Sequence, residues 1–255
     1  MANDVVLYEK DGPLGIVTIN RPEVMNPLSM SVFLGLSDAL DKVSADEEVR
    51  VLMITGAGRA FVAGADINEL LGYGIQAGWA NSRFQQSVFN KLEGLGKPSI
   101  AAINGFAMGG GLELALSCTL RVASAKAKMG FPEVGLGIIP AFGGTQRLAR
   151  AVGYPKAAEL ILLRTIIDAN EALRIGLVNT VVEQDQVIIK TREWAQNLAS
   201  LSPVAVRLEL ELLLKTQDKG FDAGLALESA LAALAVASPQ AKELLGQFVT
   251  KGKDK

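Results

Sequence analysis

Short apolar runs and longer amphipathic ones alternate through the first 185 residues of the chain. The runs at 5–8, 16–19, 51–55, 100–103, 120–123 and 180–182 are rich in β-branched residues and end at glycine, proline or polar turns, which predicts strands. Between them, apolar residues recur at three- and four-residue spacing over 29–44, 79–95, 110–117, 144–152 and 170–175, which predicts helices. Strands and helices in alternation argue for parallel β-structure with helices packed outside, an α/β fold. After about residue 185 the strand signal stops. Four helical stretches follow, at 186–199, 204–216, 221–237 and 239–248, and Ser202-Pro203 and Ser238-Pro239 have the form of helix starts, serine at the cap and proline in the first turn. The pattern divides the chain into an α/β core, 1–185, and a helical C-terminal region, 186–255. No low-complexity linker separates them, so they read as one folding unit. The apolar, alanine-rich C-terminal helices are expected to pack on the core or on another subunit.

Composition narrows the chemistry. The 255 residues include no histidine and one cysteine. A Ser-His-Asp or Cys-His mechanism, a histidine metal ligand and a histidine general base are therefore excluded, and carboxylates, lysines or tyrosines must move any protons. Cys118 alone forms no intrachain disulfide, which fits a reducing compartment, and its setting in Leu114-Ala-Leu-Ser-Cys118 reads as a buried thiol rather than a nucleophile. Lys+Arg 25 against Asp+Glu 27 gives a net charge of −2, so no overall basic field recruits nucleic acid. No apolar run approaches the ~20 residues of a membrane span. The start of the chain lacks the basic and apolar segments of a signal peptide, and the expected location is the cytoplasm.

The glycine-rich segments differ in what they offer. Gly56-Ala-Gly58 lacks the third glycine and the distal acid of a dinucleotide fingerprint, and no GxxxxGK[ST] is present. Gly143-Gly144 at a helix start suits either an anion or a closely packed turn. The triplet Gly109-Gly110-Gly111 opens the helical 110–117 stretch, so its N–H groups lie at a helix N-terminus, where negative charge is favoured. It reads equally as an oxyanion hole and as a tight strand-to-helix turn.

Two carboxylates stand out. Glu113 is the only charged residue between Lys97 and Arg121, and Glu133 the only one between Lys128 and Arg147. A buried carboxylate costs several kcal/mol unless it is paired or protonated, so lone glutamates in glycine-rich apolar segments are notable. In one pocket they would repel, raise their shared pKa and hold a proton near neutral pH. Singly, Glu113 also suits a first helical turn and Glu133 a loop carboxylate bonded to backbone. A glycosidase pair is the other use of two acids, but 5% aromatic content is low for a sugar site.

Six segments carry a resemblance over about residues 8–248: Asn20-Arg-Pro-Glu-Val-Met-Asn-Pro-Leu28, Ala60-Phe-Val-Ala-Gly-Ala-Asp-Ile67, Ile103-Asn-Gly-Phe-Ala-Met-Gly-Gly-Gly-Leu-Glu-Leu114, Phe131-Pro-Glu-Val-Gly-Leu-Gly137, Gly143-Gly-Thr-Gln-Arg-Leu148 and Glu171-Ala-Leu-Arg-Ile-Gly-Leu-Val178. In this order and spacing they resemble the enoyl-CoA hydratase/isomerase (crotonase) superfamily. The resemblance implies a spiral of ββα units with an α-helical C-terminal region that builds homotrimers, often paired into hexamers. It implies an oxyanion hole from the N–H groups of Ala65 and Gly110, with Glu113 and Glu133 as catalytic acids. It implies acyl-CoA contacts from Val24, Met25, Ala63, Ala65, Asp66, Ile67 and Gly110, and from Phe248 and Lys251 toward a neighbouring subunit's nucleotide. An amphipathic terminal helix with an exposed lysine is the other reading of Phe248 and Lys251. The resemblance implies neither metal nor redox cofactor, coenzyme A being part of the substrate.

Because acids stand at both family positions, the resemblance favours hydration of a trans-2-enoyl-CoA to a 3-hydroxyacyl-CoA. The alternatives are isomerisation, or a branched or cyclic acyl-CoA as substrate. A non-catalytic acyl-CoA-binding subunit has no use for two costly acids. The chain departs from the family pattern at Cys118-Thr119, Ala141, the segment around Leu163-Arg164-Thr165, and a weaker basic tail. The change at Ala141 bears on the shape of the acyl pocket.

Overall fold

A computed structural model describes residues 5–216 and 220–251, without the side chains of residues 246 and 248–251. The strands run in the order β1 (Val6–Asp11), β2 (Leu14–Ile19), β3 (Val51–Gly56), β4 (Ala60–Val62), β5 (Ser99–Ile103), β6 (Phe106–Met108), β7 (Leu120–Ser124), β8 (Lys128–Gly130), β9 (Ile167–Asp168) and β10 (Thr180–Val182). The helices are α1 (Met30–Ala45), α2 (Ile67–Leu70), α3 (Ile75–Glu93), α4 (Gly110–Leu116), α5 (Gly144–Val152), α6 (Tyr154–Leu162), α7 (Ala169–Arg174), α8 (Val187–Ser200), α9 (Pro203–Lys215), α10 (Phe221–Ala237) and α11 (Pro239–Lys251).

Two sheets form. The larger has the order β1-β2-β3-β5-β7-β10, antiparallel at β1/β2 and parallel elsewhere. The smaller has the order β4-β6-β8-β9, parallel except at β8/β9. Each of the pairs β3–β4, β5–β6 and β7–β8 gives one strand to each sheet before the chain passes into helix. That repeated ββα turn is the spiral unit the resemblance implied.

Alternation explains the larger sheet. Val17, Ile19, Leu52, Ile54, Ala101, Ile103 and Ala123 face one apolar cluster, which holds Phe33, Leu36, Phe89 and Leu112. Their neighbours Ile16, Val51, Met53, Ile100, Ala102 and Val122 face a second, closed by Val187 and Ala195 of α8. Both faces are dry, which is why these strands read as continuous apolar runs. Helix α1 starts where the Ser29 hydroxyl accepts the Val32 N–H, and it buries Val32, Phe33, Leu36, Leu40 and Val43 along one stripe.

The smaller sheet and α6 lie outside the predicted elements. β4, β6 and β8 have three residues each, too few to establish a period of two. At the C-terminal end, Ser202 and Ser238 cap α9 and α11 through the Ala205 and Ala241 N–H groups, as their Ser-Pro pairs predicted. α10 is apolar almost all round, yet none of its 17 residues is buried. Among the described residues no single helix is long and apolar enough to cross a membrane.

Candidate active site

The glycine triplet gives each of its members a separate task. Gly109 sits at φ +48°, a conformation that side-chain-bearing residues rarely adopt, and turns β6 into α4. Its own N–H is used, donating to the Gly130 carbonyl of β8 at 2.9 Å. Gly110 opens α4, so its N–H has no acceptor within the helix. Gly111 lies against β4, where an added Cβ would stand 2.0 Å from the Val62 carbonyl oxygen. The triplet is therefore a tight strand-to-helix turn, with the Gly110 amide at the helix N-terminus.

The chain beyond β4 passes close to this amide. Because β4 pairs with β6, residues 63–65 run beside the end of β6, and Ala65 bridges Leu28 in parallel fashion. Leu28 in turn reaches to 3.2 Å from the Cβ position of Gly110. The Ala63 N–H donates to the Met25 carbonyl at 3.1 Å, Leu28 N–H to Gly64, and Asp66 N–H to Leu28. Met25, Ala63, Ala65 and Asp66 are thus brought together beside Gly110, with Val24 and Ile67 exposed at the same edge. The Asp66 side chain caps α2 and accepts from Arg21 Nη1 at 2.9 Å, so its carboxylate holds the loop together. Phe248 and Lys251 fall within α11, but their side chains lie outside the described residues.

Both isolated glutamates are buried here. Glu113 occupies the first turn of α4, 1% exposed, and its Oε1 accepts two backbone N–H groups: Phe142 at 2.8 Å and Gly144 at 2.6 Å. Of the glycine pair at 143–144, Gly144 donates to the Glu113 carboxyl and is close-packed against it. A Cβ on Gly144 would stand 2.7 Å from Glu113 Cγ. Glu133 opens a short 3-10 turn after Pro132, with Oε1 2.1 Å from the Cβ position of Gly109. Its Oε2 is buried and has no hydrogen-bond partner. Such an orphan oxygen is unusual in a folded protein.

Burial pushes the Glu113 carboxyl up to about 7, against the pull of its two amide donors, and the charge of Glu133 pushes it further the same way. Burial also raises Glu133. Cys118 is buried with its thiol pushed up to about 12, and its Sγ lies 3.6 Å from the Leu114 carbonyl, so it is an inert thiol.

Two contributors were not singled out in the sequence. Phe142 presents its N–H to Glu113 while its ring packs edge-on to Phe33 and Phe89, at centroid separations of 5.2 and 6.1 Å. Arg147, four residues into the same segment, is 8% exposed and bonds the Phe142 carbonyl, Asn90 and Glu93. A backbone amide leaves no trace in a sequence, but Arg147 did: it is the first charge after Glu133.

Known proteins resemble this chain over nearly its whole length. The enoyl-CoA hydratase/isomerase family model matches residues 9–255. The short-chain-enoyl-CoA hydratase of Clostridium acetobutylicum is 43% identical over 98% of this chain and 96% of its own. The crotonyl-CoA hydratase of Syntrophomonas wolfei is 40% identical over 99% and 98%. Among solved structures, enoyl-CoA hydratase from Bacillus anthracis superposes with a TM-score of 0.93 at 34% identity, covering 97% of this chain and 96% of that one. With two buried acids set at a glycine-opened helix and these relatives spanning its whole length, the chain belongs to the enoyl-CoA hydratase/isomerase family.

Proposed function

We propose that the protein is an enoyl-CoA hydratase, adding water reversibly across the trans-2 double bond of a short-chain enoyl-CoA to give the 3-hydroxyacyl-CoA. The observation that carries this reading is the pair of buried glutamates at the glycine turn, Glu113 in the first turn of α4 with two amide donors and Glu133 against Gly109 with an orphan oxygen. The thioester carbonyl sits between the N–H groups of Ala65 and Gly110. As water oxygen bonds to Cβ, electron density moves through Cα to the carbonyl oxygen, and these donors stabilise the developing enolate. Glu113 takes a proton from the attacking water and Glu133 gives one to Cα, so that H and OH add to the same substrate and the pair still holds one proton.

Hydrogen bonding supports this division of labour. Two amides favour the ionised form of Glu113, whereas Glu133 is raised by burial against a single backbone N–H, and its buried Oε2 has no donor. The loops at Val24–Met25 and Ala63–Ile67 hold the CoA portion, joined across subunits by Phe248 and Lys251. Coenzyme A is part of the substrate, and the reaction as written uses no metal or redox cofactor. The uncovered apolar helix α10 supports assembly into a homotrimer or a dimer of trimers. A single buried, unbridged cysteine fits a reducing cytoplasmic setting.

A second substrate class has one observation behind it: a relative 37% identical over 92% of this chain, from Escherichia coli, is a 2,3-dehydroadipyl-CoA hydratase. The test is loss of the conjugated enoyl-thioester ultraviolet absorbance with crotonyl-CoA, run beside branched, cyclic and dicarboxylic enoyl-CoA esters. Glu113→Gln and Glu133→Gln should each lower kcat about 10²–10⁴-fold. Full activity in either variant overturns the two-glutamate reading.

A further inference from the structure

We propose that Arg147 is a positioning residue for hydration: its guanidinium clamps the 142–144 turn so that the Phe142 and Gly144 amides aim at Glu113 Oε1. This rests on the reading of Glu113 given above.

The geometry forms one continuous chain of contacts. Arg147 Nη1 donates to the Phe142 carbonyl at 3.1 Å. The N–H of Phe142 and that of Gly144 then donate to Glu113 Oε1 at 2.8 and 2.6 Å. On the far side, Arg147 Nη2 reaches Asn90 Oδ1 at 2.7 Å and Glu93 Oε2 at 2.8 Å, with Nε also bonded to Glu93 at 3.2 Å. Both partners belong to α3, whose Val88, Phe89 and Leu92 are fixed in the core. The arginine therefore references the turn that orients Glu113 to a rigid helix rather than to a loop.

The turn needs such a restraint. Gly143 stands at φ +105°, and a Cβ there would meet Arg147 Nη1 at 2.2 Å, so the guanidinium lies directly against the bend. Phe142 also presses its ring toward Gly110, 2.9 Å from that residue's Cβ position. One turn thus touches both the acid and the oxyanion donor. A planar fork that holds a carbonyl, an amide oxygen and a carboxylate together suits this task, and a lysine ammonium does not reproduce it.

Arg147 also acts on Glu113 electrostatically. The charged groups facing Glu113 are Glu133, which raises its pKa, and Arg147, which lowers it, while Glu93 partly neutralises Arg147. Arg147→Met removes the positive charge and Glu93→Gln removes its counter-charge. The two changes therefore shift the acid limb of activity in opposite directions.

The experiment measures crotonyl-CoA hydration across pH for Arg147→Met, Arg147→Lys, Glu93→Gln, Asn90→Ala and Glu113→Gln, each with its melting temperature. We expect Arg147→Met to lose about 10²-fold in kcat, as an ångström-scale misplacement would, with KM changed less than about threefold and the acid limb moved up. Arg147→Lys should restore the limb but only part of kcat. Glu93→Gln should move the limb down, and Asn90→Ala should lower kcat a few-fold without moving it. If Arg147→Met does not fold, Glu93→Gln and Asn90→Ala decide. Melting temperatures that fall while kcat and pH profile stay at wild-type values overturn the inference. That result beside an inactive Glu113→Gln sinks the positioning role alone, whereas a fully active Glu113→Gln sinks the reading beneath it.

Discussion

The Gly144 amide donates to Oε1 of Glu113 at 2.6 Å, across 31 residues of chain. This bond joins the two glycine-rich segments that a linear reading treats separately, and it sets the ionisation of a carboxyl that the core would otherwise keep neutral. Even with it, the carboxyl sits at about 7.

Stability should therefore fall as the solution becomes alkaline. A carboxyl near 4.5 in the unfolded chain and near 7 when folded binds its proton more tightly in the folded state. Protonation then favours folding, and the advantage is lost as pH rises from 4.5 through 7, a difference of roughly 3 kcal/mol for this one group. Glu113→Gln does not titrate. Denaturant unfolding at pH 5 and pH 8, at one fixed protein concentration, should show the variant gaining on wild type at the higher pH. A stability difference independent of pH would contradict the burial argument.

Gly109→Ala and Gly111→Ala, two positions apart, should fail in different ways. The new Cβ at 109 meets the end of the Glu133 side chain, which can swing aside, although the left-handed backbone costs about 1–3 kcal/mol. The expected product is a folded protein with kcat reduced at least 10²-fold. At 111 the new Cβ meets the Val62 carbonyl at 2.0 Å, and a strand backbone does not yield. Loss of soluble protein or a large fall in melting temperature is expected there. Circular dichroism with the hydration assay separates the outcomes, and equal activity loss per degree of melting temperature would refute the distinction.

These two positions also show what was legible in the chain. The central strands of the larger sheet, such as β3 and β5, stood out because both faces are buried, so apolar residues follow one another without alternation. The smaller sheet did not, since Ala60–Val62, Phe106–Met108 and Lys128–Gly130 are each shorter than a recognisable alternation. It is nonetheless what places Gly109, Val62 and Gly130 side by side. Glu113 and Glu133 were visible through isolation, because a charge among glycines and leucines has to be explained. The partners of Glu113 were not, being main-chain amides whose direction depends on a φ of +105° at Gly143. Ala65 entered through family resemblance alone, as an alanine carries no chemistry of its own.

Cutting the link between Arg21 and Asp66 should weaken substrate binding more than turnover. Arg21 Nη1 bonds both Asp66 Oδ2 and the Pro27 carbonyl at 2.9 Å, tying the 24–28 loop to residues 63–67. The pair is partly solvated, so its own energetic contribution is modest, about 1 kcal/mol or less. Arg21→Met frees two loops that flank the CoA portion while leaving Glu113 and Glu133 untouched. The expected result is a several-fold rise in KM for crotonyl-CoA with kcat within about twofold. A kcat loss at unchanged KM would place these loops on the catalytic step instead.

Helix α10 should be an assembly surface. Seventeen residues rich in alanine and leucine form it, and Phe221, Leu225, Leu234 and Val236 all stand exposed. An apolar face of that extent is costly in water, at about 25 cal/mol per Å², and is normally covered. Leu234→Glu combined with Val236→Glu places two charges where desolvation would be required, and should shift the protein toward monomer in light scattering coupled to size exclusion. Because Phe248 and Lys251 are proposed to serve a neighbour's nucleotide, the dissociated variant should also show a raised KM for crotonyl-CoA. Its main-sheet core and both glutamates are remote in sequence from the changes, so the ultraviolet assay should still detect turnover at saturating substrate. An assembly state unaffected by both charges would mean that α10 folds against the chain's own surface in solution.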